Sequence, residues 1–219
     1  MTAIGSAGAI RTVVAGLTVI TAVLLTGAVG VSPAAAADAP PGSRITVDVV
    51  TVNGSGCPAG TASARMSPDN TGFHISYSSF VAQDGGSAAP TASRRNCQVG
   101  VQVHVPQGFT YAVAGAEYRG RAALAHGSTA VQRNNYYFQG VGEPNNVTEH
   151  YFYGAYHGGW RTQDTTAVTE LVYKPCGRDV ILNINSSLRV DSPSSTSTIS
   201  LRSSEADVDT LVQFSWKQC

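Results

Sequence analysis

Two histidines and two carboxylates in one short stretch of the chain are the residues best suited to chemistry. His150 and His157 lie near Glu149 and Asp164, and these side-chain types can hold a metal ion or transfer protons near neutral pH. The spacing of the histidines is odd, so an uninterrupted strand would point them to opposite faces. Glycines at 154, 158 and 159 could bend the chain and reunite the two rings. This stretch is therefore a candidate metal or acid–base cluster.

Aromatic residues are concentrated between positions 136 and 160. Their rings could cover the face of a sugar or contact a protein partner, because an aromatic side chain offers a large apolar surface. Strand alternation puts Tyr136 and Phe138 in the core and Tyr137 outside. The ligand-binding surface predicted from this segment consists of Tyr137, Tyr151, Tyr153 and Trp160. The competing interpretation is that these rings only pack within the sheets, since tyrosine is common in strands.

Three acidic residues near the C-terminus, Glu205, Asp207 and Asp209, could supply oxygen ligands to calcium. A solvated hairpin tip that discourages edge aggregation is the simpler interpretation. The sequence contains no motif for a serine hydrolase, a zinc protease, a phosphate loop or dinucleotide binding. We therefore expect no metal and no cofactor, and we favour a non-enzymatic binding or structural protein. The alternatives are an extracellular hydrolase acting on glycans, with a carboxylate pair or the histidine region as its site, and an inhibitor of a secreted enzyme acting through loop 84–94.

The four cysteines, Cys57, Cys97, Cys176 and Cys219, are the residues expected to form covalent cross-links. Four cysteines allow three pairings. Sequence order and local context favour Cys57–Cys97 and Cys176–Cys219. Cys97 has the parity of the neighbouring valines, so its bridge is predicted to be buried, whereas Cys219 has the polar parity of its strand and is predicted to close the rim.

The elements that must position these side chains are strands, because apolar and polar residues alternate with a period of two. The clearest case runs from 97 to 105, where Cys97 shares one face with four valines. About ten short strands separated by turns predict an all-β antiparallel sandwich of jelly-roll-like type. They are expected at 44–52, 73–77, 97–105, from 109 onward, and at 130–138, 149–153, 167–173, 180–190, 198–201 and 210–216. One or two short helices are expected, around 121–125 or in loops.

The N-terminal segment has the composition of an export signal. Arg11 precedes an almost wholly apolar run, Pro33 follows it, and alanines at 35–37 offer the small side chains that signal peptidase accepts. We expect residues 1–37 to be a signal peptide, 38–43 a flexible leader and 44–219 a single domain. A retained membrane anchor is the alternative, because the run approaches spanning length. We expect a secreted protein that leaves the membrane after cleavage.

Charge is balanced along the chain, which has 14 basic and 14 acidic residues. Such a balance gives no electrostatic indication of binding to nucleic acid or anionic lipid. The pair Arg94-Arg95 lies in a segment rich in serine, alanine and proline and is predicted to be a solvated loop. We expect a monomer whose partner is an extracellular ligand, either a glycan or a protein, and not a nucleic acid.

Short motifs in a fixed order connect residues 50–219 to a known family. They include NGSGCPAGT at 53–61, SPDN at 67–70, RNC at 95–97, HVPQGFTY at 104–111, YRG at 118–120, YFQG at 137–140, PCG at 175–177, LNIN at 182–185 and FSWKQC at 214–219. In these motifs the chain resembles the secreted family catalogued as domain of unknown function 4360. The resemblance implies a small exported protein whose cysteines belong to the family pattern, and it carries over no catalytic residue.

Overall fold

The computed structural model describes residues 38–142, 146–201 and 210–219 of the 219-residue chain. Their strands are β1 (Thr46–Asn53), β2 (Ala62–Met66), β3 (Gly72–Tyr77), β4 (Val81–Asp84), β5 (Arg94–His104), β6 (Phe109–Leu124), β7 (Thr129–Phe138), β8 (Asn146–Tyr153), β9 (Tyr156–Thr165), β10 (Leu182–Asp191), β11 (Ser197–Ser200) and β12 (Thr210–Gln218). Two short 3-10 helices span Pro90–Ala92 and Val168–Glu170. Within these ranges, no helix has the length and apolar character that crossing a membrane requires. The predicted signal peptide and the acidic residues Glu205, Asp207 and Asp209 lie outside the described residues.

The strands form two antiparallel sheets that pack face to face. The five-stranded sheet has the order β1-β5-β10-β7-β8. The seven-stranded sheet has the order β2-β3-β12-β6-β11-β4, and β9 pairs with β6 beside this path. The prediction of an all-β antiparallel sandwich is therefore confirmed.

The core lies between the sheets and consists of residues of one parity from each strand. Val99, Val101 and Val103 of β5 are at most 1% exposed, as their alternation predicts. Tyr111 of β6 reaches across from the other sheet, and its ring centroid lies 5.3 Å from that of Phe138. Removing such apolar surface from water contributes about 25 cal/mol per Å², which makes this interface the main source of stability.

Two disulfides tie the sandwich together, and both predicted pairings are confirmed. Cys57 bonds to Cys97 across a sequence separation of 40, with the Cα atoms 5.3 Å apart. Cys176 bonds to Cys219 across a separation of 43, with the Cα atoms 5.9 Å apart. The first bridge is buried in the core and the second lies at the surface, as parity predicted.

Several local predictions are wrong. Short helices were expected around 121–125 or in loops: two 3-10 helices do lie in loops, but the segment near 121–125 continues β6, because β11 and β9 pair with it on opposite sides and satisfy its backbone groups. The strand expected at 167–173 is a 3-10 helix followed by a single bridge from Tyr173 to Ala112. Arg94 and Arg95 are not in a loop; they begin β5, where β10 offers them a pairing partner. Strands β2, β4 and β9 were not predicted, since they are short or lack regular apolar alternation.

The segment 38–43, expected as a flexible leader, contacts the domain. The Asp38 backbone N–H donates to the Trp216 carbonyl at 3.1 Å, and the Asp38 carboxylate accepts from the Gln218 backbone N–H at 2.8 Å. The Asn70 side-chain amide donates to the carbonyls of Pro41 and Ser43. These contacts hold the segment against β12 and the turn between β2 and β3.

Candidate functional site

The outer face of the five-stranded sheet carries a row of primary amides. Asn53, Gln98, Asn185 and Asn135 are directly opposite one another on β1, β5, β10 and β7. Neighbouring strands are about 4.8 Å apart, so the four side chains form a continuous line across the sheet. We call this line the amide row. Each primary amide can both donate and accept hydrogen bonds.

A shallow groove surrounds the centre of the amide row. It is lined on β5, β7 and β10 by Arg94, Asn96, Gln98, Arg133, Asn135, Asn185 and Ser187. The Gln98 amide donates to Asn183 Oδ1 at 2.9 Å. The side-chain oxygens of Asn135 and Asn185 are buried and accept no hydrogen bond from the described residues. The groove therefore offers unused hydrogen-bonding capacity in a polar setting.

Three of the predicted binding tyrosines lie on this same face. Tyr151 and Tyr153 are 56% and 68% exposed, and they are opposite Val131 and Thr129 of β7. Tyr137 is partly exposed further along β7 and lies opposite Asn183. The Tyr151 hydroxyl donates to Glu149 Oε2 at 2.6 Å, and this bond raises the pKa of Tyr151.

The structure separates Trp160, the fourth predicted binding residue, from these tyrosines. Trp160 is only 7% exposed, and its ring centroid lies 5.1 Å from that of Phe152. A Cβ at Gly120 would lie 2.4 Å from the Trp160 ring, so the glycine makes room for the indole between the sheets. Trp160 is a core residue and does not contribute to the outer face.

A second polar feature lies inside the sandwich, between edge strands β8 and β9 of the two different sheets. Asp164 of β9 is 3% exposed. Its Oδ1 accepts from His150 Nε2 at 2.6 Å. Its Oδ2 accepts from the Tyr136 hydroxyl at 2.5 Å and from Asn134 Nδ2 at 3.0 Å. We call these four residues the Asp164 clasp, because they join β9 to β7 and β8 across the interior.

The clasp contains only part of the cluster expected from the sequence. His150 and Asp164 meet, but His157 is exposed on β9 and Glu149 lies on the outer face of the other sheet. Among residues 38–142, 146–201 and 210–219, no three His, Cys, Asp or Glu side chains come close enough to hold a metal ion. Sequence reasoning missed Asn134, which follows the buried parity of β7 despite its polar side chain.

Further hydrogen bonds extend from the clasp into the core. The Tyr136 hydroxyl is also bonded to the Tyr118 hydroxyl. Gln132 donates to Asn134 Oδ1 at 3.3 Å and accepts from the Thr162 hydroxyl at 2.6 Å. Burial, together with the nearby Asp164 charge, raises the pKa of both Tyr118 and Tyr136 well above the usual value. Both Asp164 oxygens are already hydrogen-bonded, which fits a structural role for the carboxylate.

These buried tyrosines are expected to make the protein sensitive to alkali. Their folded-state pKa values are raised, so their stabilising contribution is complete below the unfolded value of about 10 and is lost as the pH rises above it. We expect the urea midpoint to fall steeply above about pH 10, with a shallower fall for Tyr118→Phe. Denaturation across a pH series, with tyrosinate absorbance recorded in parallel, checks this. A midpoint that stays constant while all tyrosines ionise would contradict it.

Comparison with known proteins identifies relatives of the chain. Residues 43–219 match the family model described as "Domain of unknown function (DUF4360)". A protein of Arthroderma benhamiae named "Uncharacterized secreted protein" is 32% identical over 184 residues, which cover 83% of this chain and 75% of that protein. No solved structure matches the chain significantly. The two disulfides also fit an oxidising compartment outside the cytoplasm. The chain is thus a secreted protein that belongs to the DUF4360 family.

Proposed function

We propose that the protein is a non-enzymatic extracellular binding module, and that the outer face of its five-stranded sheet binds a neutral carbohydrate. One observation carries this proposal: the amide row shares an open face with the exposed rings of Tyr151 and Tyr153. Sugar hydroxyls donate and accept hydrogen bonds, and primary amides complement both functions. Aromatic rings cover the apolar C–H surfaces of a sugar ring.

Charge on this face favours a neutral ligand over a polyanion. Arg133 lies 3.6 Å from Glu149, and Arg189 lies 4.0 Å from Asp191. On the edge strand, Asp48 pairs with His104 at 2.8 Å. Because opposite charges are interspersed, the face presents no single-sign field that would attract a charged polymer.

The same surface is a poor match for a protein partner. The core of a stable protein interface is more apolar than the surrounding surface and is enriched in aromatic residues and methionine. Here the centre of the face consists of amides, a hydroxyl and guanidinium groups. A carbohydrate is therefore the ligand that this surface fits better.

The non-enzymatic part of the proposal is supported by the state of the two carboxylates nearest the predicted chemistry. Asp164 is buried, and both its oxygens accept hydrogen bonds. Glu149 is engaged by Arg133 and the Tyr151 hydroxyl. A glycoside hydrolase needs two carboxyl groups that flank the scissile bond, one of them free to give a proton.

The double variant Tyr151→Ala/Tyr153→Ala tests the binding surface. We expect a loss of affinity of roughly 10- to 100-fold, because each aromatic contact contributes about 0.5–1.5 kcal/mol. Titration calorimetry against soluble neutral polysaccharides measures the effect. Tyr156→Ala is the matched control, since Tyr156 is also an exposed tyrosine, 38% accessible, but belongs to β9 of the other sheet. Equal affinities for the double variant and the native protein would refute the proposed surface.

A further inference from the structure

The binding face has aromatic rings at both ends of its groove. Tyr137 and its neighbour Asn183 form one cross-strand row, and the amide row is the next one along the strands. The following rows contain Arg133 and then Val131, and Val131 is opposite Tyr151. Tyr137 and Val131 are six residues apart on β7, which corresponds to about 20 Å along a strand. The polar groove lies between these two aromatic ends.

We infer that the ligand is a linear polysaccharide that lies along the strand direction and is bound through internal units of its chain. This inference rests on the proposed function, and it adds a second aromatic subsite at Tyr137. A ligand that contacts Tyr137 and Tyr151 at once must span the groove between them. A disaccharide is too short to do so, whereas a longer oligosaccharide can contact both ends and the amides between them.

The polar groups of the groove support binding of internal units of the polysaccharide. The amide row crosses the proposed ligand path between the two aromatic ends, and there the side-chain oxygens of Asn135 and Asn185 lie within the groove without partners among the described residues. Tyr151 and Tyr153 at one end of the groove are more than half exposed, so no described residue closes the groove there. Sites that enclose most of a small ligand are concave pockets, whereas an open face with two separated rings suits the middle of a polymer.

Chain-length dependence tests this inference. We expect a hexasaccharide to bind at least tenfold more tightly than the disaccharide of the same series, because it adds a second aromatic contact and the intervening hydrogen bonds. Titrations use cello-, xylo-, laminari- and chito-oligosaccharides. These series separate recognition of hydroxyl groups from recognition of acetamido groups. Length dependence in any series supports the inference.

Tyr137 variants identify the second subsite. We expect Tyr137→Ala to weaken hexasaccharide binding by roughly threefold to tenfold and to reduce the advantage of the hexasaccharide over the disaccharide. Tyr137→Phe keeps the ring and is expected to bind like the native protein. Thermal denaturation of both variants shows whether they remain folded.

The outcomes distinguish this inference from the proposed function. Two results would refute binding through internal units of the polysaccharide: a disaccharide that binds as tightly as the hexasaccharide, or a Tyr137→Ala variant with unchanged affinity for both. Either result leaves the proposed carbohydrate-binding face intact. If no neutral oligosaccharide of any length binds, the proposed function is refuted, and the inference that rests on it is refuted as well.

Discussion

Replacing Asp164 with alanine is expected to lower the free energy of unfolding by about 3–5 kcal/mol, the cost of removing one partner of a buried polar network. The substitution leaves His150, Tyr136 and Asn134 without their acceptor inside the sandwich. It also removes the hydrogen bonds that join β9 to β7 and β8. Urea denaturation followed by circular dichroism measures the change.

Two companion variants show whether the effect belongs to the buried network. Asp164→Asn keeps the shape but places an N–H opposite another donor, so we expect a loss of roughly 1–3 kcal/mol. This variant provides a measurement if the alanine variant does not fold. Asp191→Asn is the matched control, because Asp191 is exposed and its ion pair with Arg189 is long, at 4.0 Å. It is expected to change stability by less than about 0.5 kcal/mol. Similar values for positions 164 and 191 would refute the role of the clasp.

Removal of the buried disulfide is expected to have an effect of similar size. Closing a loop of 40 residues restricts the unfolded chain by about 4 kcal/mol in the entropic account. In Cys57→Ala/Cys97→Ala the two lost sulfur atoms also leave space in the core, since the cysteines are 0% and 2% exposed. We therefore expect a loss of about 5 kcal/mol.

The second disulfide provides the comparison, because its separation of 43 gives nearly the same entropic contribution. Cys176→Ala/Cys219→Ala removes exposed sulfur atoms, so its expected loss is about 4 kcal/mol without a packing contribution. In native protein, a mild reductant should open Cys176–Cys219 first. Thiol labelling followed by mass spectrometry of the peptides measures the order. Prior labelling of Cys57 and Cys97 would contradict the burial argument.

Alternation predicted those parts of the fold where one face of a strand is apolar. The valines that follow Cys97 identified β5, and the same parity correctly placed Tyr136 and Phe138 inside and Tyr137 outside. Strand β9 was not predicted because its buried residues are Trp160 and Asp164, with Gly158 and Thr162 partly buried, rather than a regular apolar series. Its place in the sandwich depends on pairing with β6, which is distant in sequence.

The candidate site was predictable only as separate residues. The tyrosines of the outer face were identified from their strands, but the amide row depends on register between strands β1, β5, β10 and β7. No local pattern specifies that register. Trp160 was assigned to the surface because the space that Gly120 leaves for it is contributed by another strand. The bond from His150 to Asp164 links different sheets. Proximity along the chain placed both residues in one candidate cluster, but it did not show that they pair without His157 and Glu149.

The order of the five-stranded sheet has a consequence for how the newly exported chain folds. Among the neighbouring strands of this sheet, only β7 and β8 are consecutive in sequence. Strand β1 cannot pair until β5 is available, and neither β5 nor β7 completes its pairing until β10 is available. Such non-local pairing requires closure of long loops before contacts form, which places folding on the order of milliseconds to seconds. Until β10 is in place, β5 and β7 expose backbone edges that can pair with other chains. Unpaired strand edges therefore make aggregation a hazard for the newly exported chain until the five-stranded sheet is complete.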